Sequence, residues 1–222
     1  MGTNRRVRSL VLVALLAAPA AGGANESGIQ LLSADNDIRS HASLQRGARN
    51  FMNYCSGCHS AQFVRYNRVA SDLGIAEADL KQNLMFTSDK PPDTIRSALR
   101  PEDGRAWFGN APPDLSLMAR ARGSDYIYTY LKSYYPDPGR PHGVNNHLLP
   151  GTAMPNAFAE LQAQLPAEQF DEVVRDTVNF LQYIGEPIEV QRRDLGVWVL
   201  LFLLVFTGCA YLMYREYWKD VH

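Results

Sequence analysis

The chain has 222 residues, of which 46% are apolar and 20% charged, values typical of a globular protein and unlike those of a disordered one. Its 22 lysines and arginines nearly balance its 23 aspartates and glutamates, so charge gives no general basis for binding nucleic acid. The 3 cysteines are too few for a disulfide scaffold. Apolar residues concentrate at the two ends of the chain.

The N-terminal segment has the three parts of a secretory signal peptide. Arginines stand within residues 5–8, an apolar run too short to span a bilayer covers residues 10–18, and small residues follow. We therefore predict a signal peptide over residues 1–24, with an uncleaved membrane anchor as the alternative. Residues 25–194 would then form an exported domain.

Helical spacing recurs along this domain. Apolar residues from Leu44 to Cys55 follow a period of three and four residues, and Ser43 is a possible N-cap. The other predicted helices cover residues 115–121 after Asp114, residues 124–135 from Ser124, and residues 166–184 from Pro166.

Long stretches rich in proline and glycine separate these helices. They cover residues 86–113 and 136–157, and no run of alternating strands is present. Loops of this length are uncommon unless something other than a core orders them, and a large bound cofactor would do so. The predicted fold is mainly α, with long loops.

A transmembrane anchor is predicted near the C-terminus. Residues 195–214 read LGVWVLLFLLVFTGCAYLMY, an uncharged run long enough to span a bilayer. Aromatic residues such as Trp198 and Trp218 lie toward its ends, as they do at membrane interfaces. A buried core helix is the alternative, but a domain of this size cannot surround such a helix on all sides. Residues 215–222 would remain in the cytoplasm.

The sequence Cys55-Ser-Gly-Cys58-His59 carries the strongest chemical signal. Two thiols three residues apart lie on one helical turn and can bond to the two vinyl groups of one haem, while the adjacent histidine reaches the iron. The alternatives are a redox dithiol and half of a zinc site. The other cysteine, Cys209, lies in the predicted anchor, and the βαβ context of a redox dithiol is missing. We predict one covalently bound haem c.

The sixth iron ligand separates electron transfer from gas binding or catalysis. A methionine thioether favours ferrous iron and raises the potential, which suits electron transfer. Met154 stands in the loop 150–155, where Gly151 permits close approach and a proline fixes the turn. We favour Met154, with His142 and His147 as the main alternatives. The remaining candidates are Met52, Met85, Met118 and His41.

Several further segments resemble one known family. Gly47, Phe51 and Cys55 are spaced as in the first helix of c-type cytochromes, where the glycine lets the C-terminal helix cross closely. More specific segments make the chain resemble bacterial members of the cytochrome c1 family, the haem subunits of cytochrome bc1 complexes. They are Ala111-Pro-Pro-Asp-Leu-Ser116 with Arg120-Ala-Arg122, the loop sequence Ala153-Met154-Pro155, and Glu186-Pro187 before the anchor.

The resemblance implies a c-type cytochrome haem domain with a set of site residues. Arg120 would contact a haem propionate, a role that suits a guanidinium fork. Tyr126 would lie near the haem, and Pro112 would pack on its edge. The remaining implied roles are thioether attachment by Cys55 and Cys58 and axial ligation by His59 and Met154.

The resemblance also implies partners and a location. The chain would carry electrons from a Rieske iron–sulfur protein to a c-type cytochrome, beside a cytochrome b subunit in a dimeric multi-subunit complex. That complex would lie in the bacterial inner membrane, with this haem domain on the periplasmic side. The chain would be a non-catalytic redox subunit without a nucleic-acid partner. The alternatives are another membrane-anchored c-type cytochrome, such as a shuttle or oxidase subunit, and a haem enzyme or gas sensor with an exchangeable sixth site.

Overall fold

The computed structural model describes residues 28–221, so the predicted signal peptide lies outside the described residues. Helix α1 covers His41–Asn50 and continues as a π-helical turn over Phe51–Cys55. The helix predicted after residue 43 is confirmed, but its N-cap is Ser40, whose side chain accepts a hydrogen bond from the backbone N–H of Ser43 at 3.4 Å. The choice of Ser43 as the cap was wrong because the chain is already helical there.

Short helices and small antiparallel sheets form most of the remaining domain. Within residues 28–221 the fold is mainly helical, as predicted. The helices are α2 (Tyr66–Leu73), α3 (Glu77–Asn83), α4 (Pro101–Phe108), α5 (Met118–Arg122), α6 (Ser124–Lys132), α7 (Ala159–Gln164) and α8 (Ala167–Gly185). Strand β1 (Ala61–Arg65) pairs with β2 (Thr94–Ile95), and β3 (Tyr134–Pro136) pairs with β4 (Val144–Asn146).

Two predicted helices have different bounds in the structure. Helix α5 begins only at Met118, because Asp114 forms a turn in which its Oδ1 accepts from the backbone N–H of Ser116 at 2.8 Å. Helix α6 ends at Lys132, since the chain extends at Tyr134 to pair with β4.

The stretches predicted as long loops contain regular structure. Helix α4 and strand β2 lie within residues 86–113, and strand β4 lies within residues 136–157. Gly109 ends α4 with φ of 81°, a left-handed conformation that glycine adopts without strain. Several of the prolines and glycines in residues 86–113 and 136–157 therefore lie at helix ends and turns.

The core is organised by the crossing of α1 and α8. A β-carbon at Gly47 would overlap the carbonyl oxygen of Asp176 and lie 2.8 Å from Cβ of Phe180. The crossing is therefore as close as the spacing of Gly47 predicts. The carboxylate of Asp176 is buried at the same crossing, where it accepts from Ser43 Oγ at 2.6 Å and Arg46 Nε at 2.5 Å. A buried charge needs such partners.

Helix α9 covers Glu189–Tyr217 and contains the predicted span. Among residues 28–221 it is the one helix long and apolar enough to cross a membrane, and these residues bury none of its apolar window. Glu186, between α8 and α9, accepts from Arg192 Nε at 2.5 Å and from its Nη2 at 3.0 Å. A 3₁₀ turn over Lys219–Val221 follows.

Candidate functional site

A cavity of about 350 Å³ joins the Cys-x-x-Cys-His segment to the loop that carries Met154. Its wall combines sulfur, imidazole and aromatic groups with many aliphatic side chains. Of the seven predicted site residues, the lining contains Cys55, Cys58, His59, Pro112, Tyr126 and Met154. Residues nearly a hundred positions apart along the chain are thus brought to one cavity.

The π-helical turn at the end of α1 positions the two cysteines. The backbone N–H groups of Cys58 and His59 both donate to the carbonyl oxygen of Cys55, at 3.1 and 2.8 Å. Burial raises the pKa of the Cys55 thiol to about 12, with a contribution from nearby Cys58. A raised pKa is the opposite of what the nucleophilic cysteine of a redox dithiol requires.

His59 is oriented by a backbone carbonyl. Its side chain is buried, and its Nδ1 donates a hydrogen bond to the carbonyl oxygen of Pro113 at 2.8 Å. Burial lowers the pKa of His59, against smaller raising effects from that hydrogen bond and from Asp114. The ring is therefore neutral, and Nε2 keeps its lone pair, which is the form that binds a metal.

Met154 is half-buried and lines the same cavity. Its carbonyl oxygen accepts a hydrogen bond from the hydroxyl of Tyr134 at 3.1 Å, and Tyr130 and Thr152 are hydrogen-bonded through their hydroxyls at 2.7 Å. The thioether of Met154 carries the softest donor that a neutral side chain offers to iron.

The donor set fits a haem better than a bare metal ion. No group of three histidine, cysteine or acidic residues that could hold a metal occurs in the described part of the chain. The cavity instead offers paired thiols, one imidazole and one thioether within largely apolar walls, which matches the attachment and ligation of a c-type haem.

Comparison with known proteins identifies the family of this chain. The model of the Cytochrome C1 family matches residues 37–221. The chain belongs to the cytochrome c1 family. Cytochrome c1 of Allochromatium vinosum is 46% identical, with 97% of this chain and 100% of the relative covered.

Two further relatives are similar to this chain over nearly its whole length. Cytochrome c1 of Rhodospirillum rubrum is 31% identical, with 96% of this chain and 97% of the relative covered. A protein of Nitrosomonas europaea named ammonia monooxygenase gamma subunit is 38% identical, with 98% of this chain and 100% of the relative covered. The relatives that match nearly the whole chain therefore include two proteins named cytochrome c1 and one with a different name.

The two arginines of the Arg120-Ala-Arg122 segment face different surroundings. Arg122 lines the cavity, and its guanidinium carbon lies 5.5 Å from the ring centroid of Tyr126. Arg120 is absent from the lining, and its Nη1 lies 3.6 Å from Glu186. Residues two apart on a helix point in different directions. Sequence reasoning missed Arg122, although the helical period of α5 would have separated it from Arg120.

The candidate sixth ligands also separate in space. Met118 lines the cavity together with Met154, and both side chains also pack against the hydrophobic core. Met52 and Met85 are buried in the core and do not line the cavity. The candidate histidines outside the lining are His41, His142 and His147.

Proposed function

We propose that this chain is the haem c subunit of a quinol–cytochrome c oxidoreductase, carrying electrons from a Rieske iron–sulfur protein to a c-type cytochrome. The observation that carries the proposal is the shared cavity of Cys55, Cys58, His59 and Met154. Membership of the cytochrome c1 family supports the place of that cavity in a bc1-type complex.

The thiols of Cys55 and Cys58 would hold one haem covalently. When bound, the haem supplies an iron that takes up and releases one electron. The turn at the end of α1 keeps both thiols and the His59 ring at one side of the cavity. The apolar walls exclude water, and a low local dielectric favours the iron state with less net charge.

His59 and Met154 would be the axial ligands. The bond from His59 Nδ1 to Pro113 fixes the ring and directs Nε2 away from that carbonyl. Met118 also lines the cavity, so geometry leaves a choice between two thioethers. The family resemblance and the glycine- and proline-bounded loop favour Met154.

Arg122 would neutralise a haem carboxylate at the cavity wall. Its guanidinium lies against the Tyr126 ring within the lining, and a guanidinium fork binds a carboxylate bidentately. The resemblance assigned this role to Arg120. The position of Arg122 in the lining makes it the stronger candidate.

The exposed apolar helix α9 would anchor the domain in the bacterial inner membrane. Its outward apolar side chains support contact with lipid and with a cytochrome b subunit of a dimeric complex. The signal-peptide pattern of residues 1–24 supports a haem domain on the periplasmic side.

The first experiment extracts the protein from membranes in mild detergent and records a reduced-minus-oxidised spectrum. We expect a c-type band together with b-type haem bands and quinol-to-cytochrome c activity in the same fraction. A c-type band alone, also after a gentler extraction, would contradict the proposal and indicate a freestanding cytochrome.

Two methionine variants test the ligand assignment. Met154→Leu is expected to lower the midpoint potential and to abolish the weak long-wavelength absorption of methionine-ligated ferric haem. Met118→Leu is the matched control, because it removes the other thioether from the same cavity. An unchanged Met154→Leu spectrum with a changed Met118→Leu spectrum would reverse the assignment.

A further inference from the structure

The loop that carries Met154 is held by Arg140, a residue that was not among the predicted site residues. Arg140 lies in the turn between β3 and β4. Its Nη2 donates to the carbonyl oxygen of Gly151 at 2.7 Å and to that of Thr152 at 3.4 Å. These carbonyls lie three and two residues before Met154, so the contact fixes the backbone that leads directly to the thioether.

Two tyrosines hold the same loop from α6 and β3. The hydroxyl of Tyr134 donates to the carbonyl oxygen of Met154 at 3.1 Å, and the Tyr130 hydroxyl is hydrogen-bonded to that of Thr152 at 2.7 Å. The hydroxyls of Tyr130 and Tyr134 are themselves 2.8 Å apart. The two hydroxyls are thus a hydrogen-bonded pair that contacts the loop at Thr152 and at Met154.

The turn that presents Arg140 is itself ordered. The backbone N–H of Arg140 donates to the carbonyl oxygen of Asp137 at 3.0 Å, and the carbonyl oxygen of Arg140 accepts from the backbone N–H of Gly143 at 3.0 Å. The carboxylate of Asp137 accepts from Nδ2 of Asn145 at 2.9 Å, which ties the turn to β4. The guanidinium is thus carried on a preorganised support, and little entropy is lost when it binds the loop.

The guanidinium also occupies an unfavourable position. Its Nε is buried and meets no hydrogen-bond acceptor within the described residues. A buried donor without an acceptor destabilises the fold. The two hydrogen bonds made by Nη2 of Arg140 offset the cost of the unpaired Nε, and both of them restrain the Met154 loop.

We propose that Arg140, together with Tyr130 and Tyr134, positions Met154 against the haem and thereby protects the sixth coordination site from competing ligands. We call these three residues the loop clamp. The proposal rests on the proposed function, because it takes Met154 as an axial ligand. A thioether is a neutral, weak ligand, so its occupancy depends on how firmly the loop holds it near the iron.

The test uses the full-length holoprotein, purified from membranes, with imidazole as the competing ligand. Arg140→Gln removes the charge, Arg140→Lys retains it without the fork, and Tyr134→Phe removes one hydroxyl. Arg49→Gln is the matched control, because Arg49 is exposed on α1 and does not line the cavity. The readouts are imidazole affinity of the ferric haem and the long-wavelength absorption of methionine ligation.

For Arg140→Gln we expect imidazole to bind about tenfold more tightly, which corresponds to about 1.4 kcal/mol, the scale of one hydrogen bond from a charged group. Arg140→Lys should lie between this variant and the wild type, and Arg49→Gln should equal the wild type. Affinity within about twofold of the wild type for Arg140→Gln would overturn the proposal.

Two outcomes separate this proposal from the function on which it rests. If Met154→Leu loses the absorption band while Arg140→Gln keeps wild-type affinity, only the loop clamp is refuted. If Met154→Leu keeps the band, the ligand assignment itself fails. Should Arg140→Gln not accumulate, Tyr134→Phe decides, because it removes only a hydroxyl from the clamp, and an unchanged imidazole affinity there would refute the clamp.

Discussion

Replacing Gly47 by alanine tests the closest helix contact in the domain. The new β-carbon would overlap the carbonyl oxygen of Asp176 and lie 2.8 Å from both its carbonyl carbon and Cβ of Phe180. Most of the atoms that the new β-carbon would meet belong to the backbone of Asp176, which cannot move aside as a flexible side chain could. Helices α1 and α8 must therefore separate by roughly 1 Å to restore ordinary contact distances.

The expected cost follows from two opposing effects. Overpacking of this kind costs up to about 3 kcal/mol, and alanine regains about 1 kcal/mol of helix propensity over glycine. The net destabilisation is therefore about 2 kcal/mol. For a domain of this size the melting temperature should fall by about 4–8 °C.

Circular dichroism of the detergent-solubilised holoprotein during heating measures this change. Ala42→Gly is the control, because Ala42 is exposed on the same helix and its replacement changes propensity without a clash. That variant should lose about 1 kcal/mol. A Gly47→Ala protein that melts at or above the wild-type temperature would refute the reasoning about the crossing.

Two further predictions concern charged residues. Burial alone would raise the pKa of Asp171, but hydrogen bonds from Lys132 and Tyr128 outweigh it and lower that pKa. The interaction of Asp171 with Lys132 therefore stabilises the fold fully at pH values above the unfolded-state pKa of about 4. This stabilisation is lost as the pH falls through the lower pKa that Asp171 has in the folded state. Lys132→Met should lower the free energy of unfolding by up to about 1 kcal/mol at pH 7, with a difference that shrinks in acid; a difference independent of pH in melting experiments would contradict this. Arg122→Gln should shift the haem midpoint potential and Arg120→Gln should not, because Arg122 lines the cavity and Arg120 pairs with Glu186; redox titration showing the reverse would restore the original assignment.

The elements encoded by local spacing were predictable. The Cys-x-x-Cys-His motif follows from residues that are neighbours in sequence, and the apolar length of α9 follows from composition. The helix α8 was also predicted nearly to its ends, because its apolar period persists over Ala167–Gly185. The N-cap of α1 was predicted wrongly, because the side chain that accepts from the first turn of the helix belongs to Ser40 and not to Ser43.

The choices among like residues required the tertiary structure. Arg120 and Arg122 stand in the same short segment, but only the path of α5 across the domain places Arg122 in the cavity lining. Met118 and Met154 are likewise brought to one cavity by contacts between segments far apart in sequence.

The sequence by itself determined that the chain carries a Cys-x-x-Cys-His motif, a mainly helical domain and a long apolar C-terminal helix, because each depends on spacing within a few turns of chain. The tertiary structure decided which carbonyl orients His59, which backbone lies against Gly47 and which guanidinium restrains the Met154 loop. The two residues in each of these contacts belong to different segments of the chain. Whether they meet depends on the packing of the whole domain, which no local sequence pattern specifies.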